Sequence, residues 1–193
     1  MDEMMVISNC LAAARRVKEN SPLYRKKFKG INVDKMVTKE QFESLPFTDK
    51  DDLRDAYPLD MCAAPMEDVV RIHSSSGTTG MPVIMPYTKH DIEDWAVMFA
   101  RCYQLAGVTN KDRVQITPGF GLWTAGLGFM AGAEHLGALA IPTGAGNTDR
   151  QLQYMVDMGT TVLCSTSSYA LVIAEEVDKR GLRGKLKLKT GIF

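Results

Sequence analysis

From residue 113 onward, short apolar runs alternate with segments of helical period, and no other feature constrains the fold of this chain so tightly. A strand over 113–117 precedes a helix over 122–136. A strand over 138–142 precedes a helix over 149–158, and a strand over 160–165 precedes a helix over 167–180. A last strand, Leu186 to Phe193, closes the chain. Strands joined by whole helices run parallel, because a parallel return needs a crossover of a dozen or more residues. Strands this continuously apolar need cover on both faces. The predicted class is α/β: a helical N-terminal segment, then strand–helix repeats forming a mostly parallel sheet covered by helices.

The earlier residues follow other rules. Residues 3–20 place Val6, Cys10, Ala13, Ala14 and Val17 on one side of a helix that Ser21-Pro22 stops. Thr38 with Gln41 forms a capping box for a short helix. Thr48 is the predicted cap of another, Asp49 to Ala56. Residues 1–68 are therefore expected to be a helical segment packing on a main body, residues 69–193. The body opens with strands Val69–His73 and Val83–Tyr87 and a tight turn between them. Thr88 with Asp91 is the predicted start of a long helix that Gly107 ends.

The 193 residues include 23 Lys+Arg and 23 Asp+Glu, so no global positive field gathers nucleic acid or an anionic membrane. The uncharged run Val114–Ala133 holds Gln115, Pro118 and five glycines, a poor lipid-facing helix, so Gly128-x-x-x-Gly132 is not read as a membrane dimer motif. Cys10, Cys62, Cys102 and Cys164 lack metal-ligand spacing. They read as reduced thiols of a cytoplasmic protein, with Cys102 and Cys164 as small core residues.

The chemistry is concentrated in Ser74-Ser75-Ser76-Gly77-Thr78-Thr79-Gly80, five hydroxyls and two glycines in seven residues. Glycines let backbone amides approach a ligand, and consecutive amides in a turn form an anion-binding nest. The loop lacks the Gly-Lys-[Ser/Thr] of a Walker A motif and the glycine spacing of a dinucleotide fingerprint. By composition alone, such a loop is more often a plain hairpin turn. His73, just before it, reads either as a ligand-facing group or as a histidine partly buried at a strand end.

The order of residues says more. Ser75-Ser76-Gly77-Thr78-Thr79-Gly80-x-Pro82 resembles the phosphate loop of adenylate-forming enzymes. Three further segments resemble the phenylacetate–CoA ligase family within them: Leu45-Pro46-Phe47-Thr48-x-Lys50-Asp51-Asp52-Leu53-Arg54, Gly119-Phe120-Gly121-Leu122-Trp123-Thr124-x-Gly126-Leu127-Gly128, and Thr166-Ser167-Ser168-Tyr169. The resemblance runs from about Leu45 to the last residue. It implies the incomplete large N-terminal domain of an enzyme that joins a carboxylic acid to AMP and then to coenzyme A, consuming ATP with Mg2+. It assigns Ser75, Ser76, Gly77, Thr78, Thr79 and Gly80 to the phosphates of ATP, and Phe120, Trp123 and Gly126 to the pocket of an aromatic acid.

Two positions depart from the pattern. Met81 stands where many relatives carry lysine, so the loop keeps its hydroxyls and loses a point charge. Pro118-Gly119-Phe120 lacks one of two aromatics, which leaves the acid open. The family's catalytic lysine, ribose-binding acid and Mg-binding acid have no counterpart here. The resemblance thus implies a fragment without ligase activity by itself, completed by a missing C-terminal half, with a homodimer through the open sheet edge as one assembly. A phosphate-binding module, half of a split enzyme, and an adenylating enzyme that does not use coenzyme A stand as alternatives.

Overall fold

In the computed structural model, residues 2–77 and 80–193 are described, and Met1, Thr78 and Thr79 lie outside that set. The chain divides into two compact units, Met1–Lys89 and His90–Phe193. The 68/69 division drawn from the sequence separates the helices from the first hairpin. That hairpin lies within the first compact unit.

The first unit begins with α1 (Glu3–Asn20), capped by the Asp2 carboxylate, which accepts from the Met4 amide. Ser21-Pro22 ends α1 and at once starts α2 (Pro22–Lys27): Ser21 is the N-cap, and proline occupies a first-turn position that has no acceptor to lose. Sequence reading saw only the stop. The Thr38–Gln41 capping box opens α3 (Lys39–Glu43) as predicted. The cap of α4 (Lys50–Asp55) is Asp49 and not Thr48. The Asp49 carboxylate accepts from the amides of Asp51 and Asp52 at 3.0 and 2.9 Å. Thr48 donates instead to the Tyr24 hydroxyl at 3.0 Å. Ala14, Phe28 and Val33 are buried together, with Val17, Tyr24, Ile31, Met36 and Leu45 around them. The unit closes with an antiparallel pair, β1 (Val69–Ser74) and β2 (Ile84–Thr88), Ser74 opposite Ile84.

The second unit carries α5 (Lys89–Leu105), β3 (Arg113–Ile116), α6 (Thr124–Leu136), β4 (Leu139–Ile141), α7 (Thr148–Asp157), β5 (Val162–Cys164), α8 (Ser167–Lys179) and β6 (Thr190–Ile192). All strand pairs are parallel, in the order β4-β3-β5-β6. Side chains alternate across the sheet. Val114, Ile116, Val162 and Cys164 pack with Tyr103 of α5 and Ala133 of α6, while Leu163 packs with Leu152 and Met155 of α7 and Ile173 and Val177 of α8. Burial pushes the Cys164 thiol up to about 12 against the opposing hydrogen bond with Tyr103, so it is a neutral core group. Cys102, expected beside it in the core, is exposed. The inner face of α5 is set by Ala100 and Tyr103, and Cys102 falls off that face.

The Gly128-x-x-x-Gly132 spacing serves a close contact between α5 and α6. A Cβ on Gly132 would lie 2.5 Å from the Phe99 Cβ and 2.9 Å from the Phe99 carbonyl carbon, and one on Gly128 would enter the Phe99 ring. Among the described residues, no helix is long and apolar enough to cross a membrane.

The last strand is shorter than predicted. Its partner β5 offers only three residues, so residues 186–189 remain outside the ladder. Lys189, just before β6, reaches the buried Asp112 at 2.8 Å.

Candidate active-site elements

In the first unit, the β1–β2 ladder runs straight into the hydroxyl-rich turn. The Ser75 amide donates to the Val83 carbonyl at 3.0 Å, and the Val83 amide donates back to the Ser75 hydroxyl at 2.9 Å. Ser75 therefore pins the base of the turn. The Gly80 amide donates to the Gly77 carbonyl at 3.1 Å, closing a tighter loop inside the first. Gly77 makes this possible with a φ of +65°, and a Cβ there would press on the Gly80 carbonyl oxygen at 3.2 Å. Among the described residues, the amides of Ser76 and Gly77 have no acceptor. Those of Ser75 and Gly80 are engaged in closing the turn. Thr78 and Thr79 lie outside the described residues. His73 is fully buried in β1 with its ring edge-on to Tyr87, 5.2 Å between centroids. This burial is the environment of a structural group at a strand end.

In the second unit, the chain leaves β3 to build α6 and β4 on one side, then crosses to place β5 on the other. The order reverses between β3 and β5, and the loops at the carboxyl ends of such strands diverge to leave a crevice. A cavity of about 410 Å³ lies there, lined by Thr117, Pro118 and Gly119 after β3, Trp123 before α6, Ala145 and Gly146 after β4, and Thr166 and Tyr169 after β5. Its walls are mostly apolar or aromatic, and Trp123 is 52% exposed.

Of the three residues assigned to an acyl pocket, Trp123 lines this cavity. Phe120 is not among its lining residues, and its ring lies 3.6 Å from where a Cβ on Gly144 would be. Gly126 is buried in the first turn of α6 and supports the wall from behind. A Cβ there would stand 2.5 Å from the Gly119 carbonyl oxygen and 3.0 Å from that of Pro118.

Sequence reading missed how the cavity is braced. Gln115 points from the centre of β3 to α7, donating to the Gln151 carbonyl at 3.0 Å and to Gln151 Oε1 at 2.7 Å, and accepting from Thr160 at 2.8 Å. Gln151 in turn donates to the Gly144 carbonyl at 2.7 Å, fixing the turn that supplies Ala145 and Gly146. Tyr169 is held at its hydroxyl by Thr148 at 3.2 Å. A glutamine inside an otherwise apolar strand was the available signal. Thr148 does not cap α7; the cap is Asn147 at a φ of +49°, its side chain accepting from the Arg150 amide at 3.0 Å.

A parallel sheet covered on both faces, with an aromatic-walled crevice at its strand ends, is the architecture of the N-terminal domain of AMP-forming CoA ligases. Solved structures agree. The chain superposes on 2-hydroxyisobutyryl-CoA ligase in an open conformation in complex with 2-HIB-AMP and CoA, with a TM-score of 0.86 at 28% identity, covering 96% of this chain and 45% of that one. It superposes on the same ligase in the postadenylation state with 2-HIB-AMP, with a TM-score of 0.85 at 28% identity, covering 96% and 41%.

In sequence, the chain is similar to phenylacetate–coenzyme A ligases. The chain is 44% identical over 178 residues to the phenylacetate-coenzyme A ligase of Pseudomonas putida, covering 91% of this chain and 40% of that protein. It is 43% identical over 179 residues to that of Escherichia coli K12, covering 91% and 41%. No family model matches the chain. The chain thus spans about two-fifths of the length of the curated relatives it matches.

Proposed function

We propose that this chain supplies the phosphate loop and the acyl pocket of an ATP-dependent, AMP-forming ligase that joins an aromatic carboxylic acid to coenzyme A. The carrying observation is the cavity at the β3/β5 switch point with Trp123 and Tyr169 in its walls. Flat aromatic walls bury and stack an aryl group. In the first step a carboxylate oxygen attacks the α-phosphorus of ATP, the α–β bridge breaks, and pyrophosphate leaves. In the second the thiolate of coenzyme A attacks the acyl carbon and AMP leaves. In this reading the loop of Ser75, Ser76, Gly77, Thr78, Thr79 and Gly80 holds the departing phosphates through hydrogen-bond donors. Trp123, with Phe120 and Gly126 shaping its surroundings, receives the acid.

Mg2+ accompanies ATP in this scheme. Among the described residues, no three His, Cys, Asp or Glu side chains converge, so ligands for the ion are not assigned here. Four free thiols fit the cytosol as the compartment.

The reading predicts that the 193-residue chain binds pyrophosphate and an aryl acid but shows no acid-dependent ATP–pyrophosphate exchange. Exchange appears only when the remaining part of a relative is added back. Trp123 reports binding directly: with Trp95→Phe leaving it as the single tryptophan, phenylacetate quenches or shifts its emission, and Trp123→Ala abolishes the response. An unchanged emission spectrum at saturating acid overturns the pocket assignment. Sedimentation of the chain tests the homodimer.

A further inference from the structure

A groove of about 590 Å³ lies in the first unit, lined by α1 and by the segment that leads into α3. Arg15 lines it, and the walls beside Arg15 are Met4, Ile7 and Leu11 from α1 with Met36 and Val37 from the other side. Positions 4, 7, 11 and 15 stand three or four apart, so one stripe of the helix runs along the groove. Met4 is 79% exposed and Val37 74%, which leaves apolar wall open to water.

Arg15 is partly buried, and a guanidinium cannot shed its charge to escape that environment. Among the described residues it makes one hydrogen bond, from Nη2 to the Met36 carbonyl at 2.7 Å. Its Nε is sealed from solvent with no acceptor, and no acceptor meets Nη1. The two carboxylates that line the groove are engaged elsewhere. Glu3 pairs with Lys39 at 3.3 Å, both of them exposed, and Glu40 is held by its own backbone amide and by the Thr38 side chain. A partly buried cation with open donors and no counter-charge is complementary to an anion. Flexible methionine and aliphatic walls suit an aliphatic body, in contrast to the aromatic walls of the cavity in the second unit.

We propose that this groove binds an aliphatic monocarboxylate, its headgroup on Arg15 Nη1 and its chain along Met4, Ile7, Leu11 and Val37. The site shares no residue with the β1–β2 turn or with the cavity at the strand ends, so it stands or falls apart from the function proposed for them.

Titration calorimetry of the 193-residue chain with octanoate, octan-1-ol and acetate tests it. Octanoate binds. Octan-1-ol, with the same chain and no charge, binds at least about tenfold more weakly, and so does acetate, with the charge and no chain. Arg15→Gln brings octanoate down to the level of octan-1-ol. Val37→Glu sets a like charge on an exposed wall and also weakens octanoate at least about tenfold, so it tests the site even if Arg15→Gln destabilises the fold. Trp123→Ala, in the cavity of the other unit, leaves octanoate binding intact. Octanoate binding that withstands Val37→Glu, that octan-1-ol equals, or that Trp123→Ala removes overturns the proposal, as does an absence of octanoate binding by the unaltered chain.

Discussion

Gly126 and Gly121 lie on the same stretch of chain, yet only one has no room for a side chain. Gly126 faces the carbonyls of Pro118 and Gly119 at 3.0 and 2.5 Å from its missing Cβ, whereas Gly121 has nothing within 4 Å. Carbonyl oxygens in a braced turn cannot yield as a flexible side chain does. Gly126→Ala is expected to cost about 1–3 kcal/mol in urea denaturation and to weaken aryl-acid binding by deforming the Trp123 wall. Gly121→Ala is expected to be neutral within about 0.5 kcal/mol. Both glycines are equally visible in the sequence. Which of them bears the approach depends on where the 118–119 carbonyls come to lie, and no local pattern contains that.

At the scale of elements, the strand–helix pattern was readable because it arises from residues a few positions apart: period two for the strands, 3.6 for the helices. The caps were read less well. Thr48 and Thr148 are both good capping residues, yet each gives up its helix to the aspartate or asparagine beside it and bonds a tyrosine 24 or 21 positions away. Where two adjacent residues can both cap, the tertiary partner decides. The Gln115–Gln151–Thr160 cluster is the clearest element-scale device, since it couples β3, α7 and the turn after β4. Gln115→Leu strands the Thr160 hydroxyl and the Gln151 side-chain oxygen. Each buried polar group left unpaired costs about 1–3 kcal/mol. A double-mutant cycle with Gln151→Met should give a coupling energy on the order of 1 kcal/mol. Strictly additive losses would show that the two glutamines act independently.

At the scale of the whole molecule, stability and chemistry sit at opposite ends of the parallel sheet. The cavity occupies the carboxyl ends of the strands, and Asp112 clasps their amino ends. Its carboxylate accepts from the Thr109 amide and hydroxyl, from Thr161 just before β5 and from Lys189 just before β6, and its backbone carbonyl accepts from Leu139 of β4. Burial opposes ionisation of Asp112, but the donors led by Lys189 outweigh it and hold the pKa down to about 2. A carboxylate with a depressed folded pKa stabilises the fold fully above its unfolded pKa, ordinarily about 3.9, and loses that contribution as pH falls toward the folded value. Allowing for solvent at the exposed lysine, the contribution is on the order of 1–2 kcal/mol. Asp112→Asn should therefore lower the thermal midpoint at pH 7, and the gap from the unaltered chain should narrow between about pH 4 and pH 2. A gap constant with pH would mean that Asp112 acts by shape alone.

What the amino-acid order determined by itself is what short-range physics controls: the alternation that demands a parallel sheet, the glycine-pinned hydroxyl turn, and motif strings specific enough to point to the phenylacetate–CoA ligases. The tertiary structure alone decided which groups meet. It spent the Ser75 and Gly80 amides on closing their own turn, set Arg54 against Gly80, turned Lys189 toward Asp112, and chose Trp123 rather than Gly126 to face the crevice. The reason is one of range. Periodicity and turn preference are settled within a few residues, whereas a contact between residues tens of positions apart exists only after the whole chain has chosen its packing.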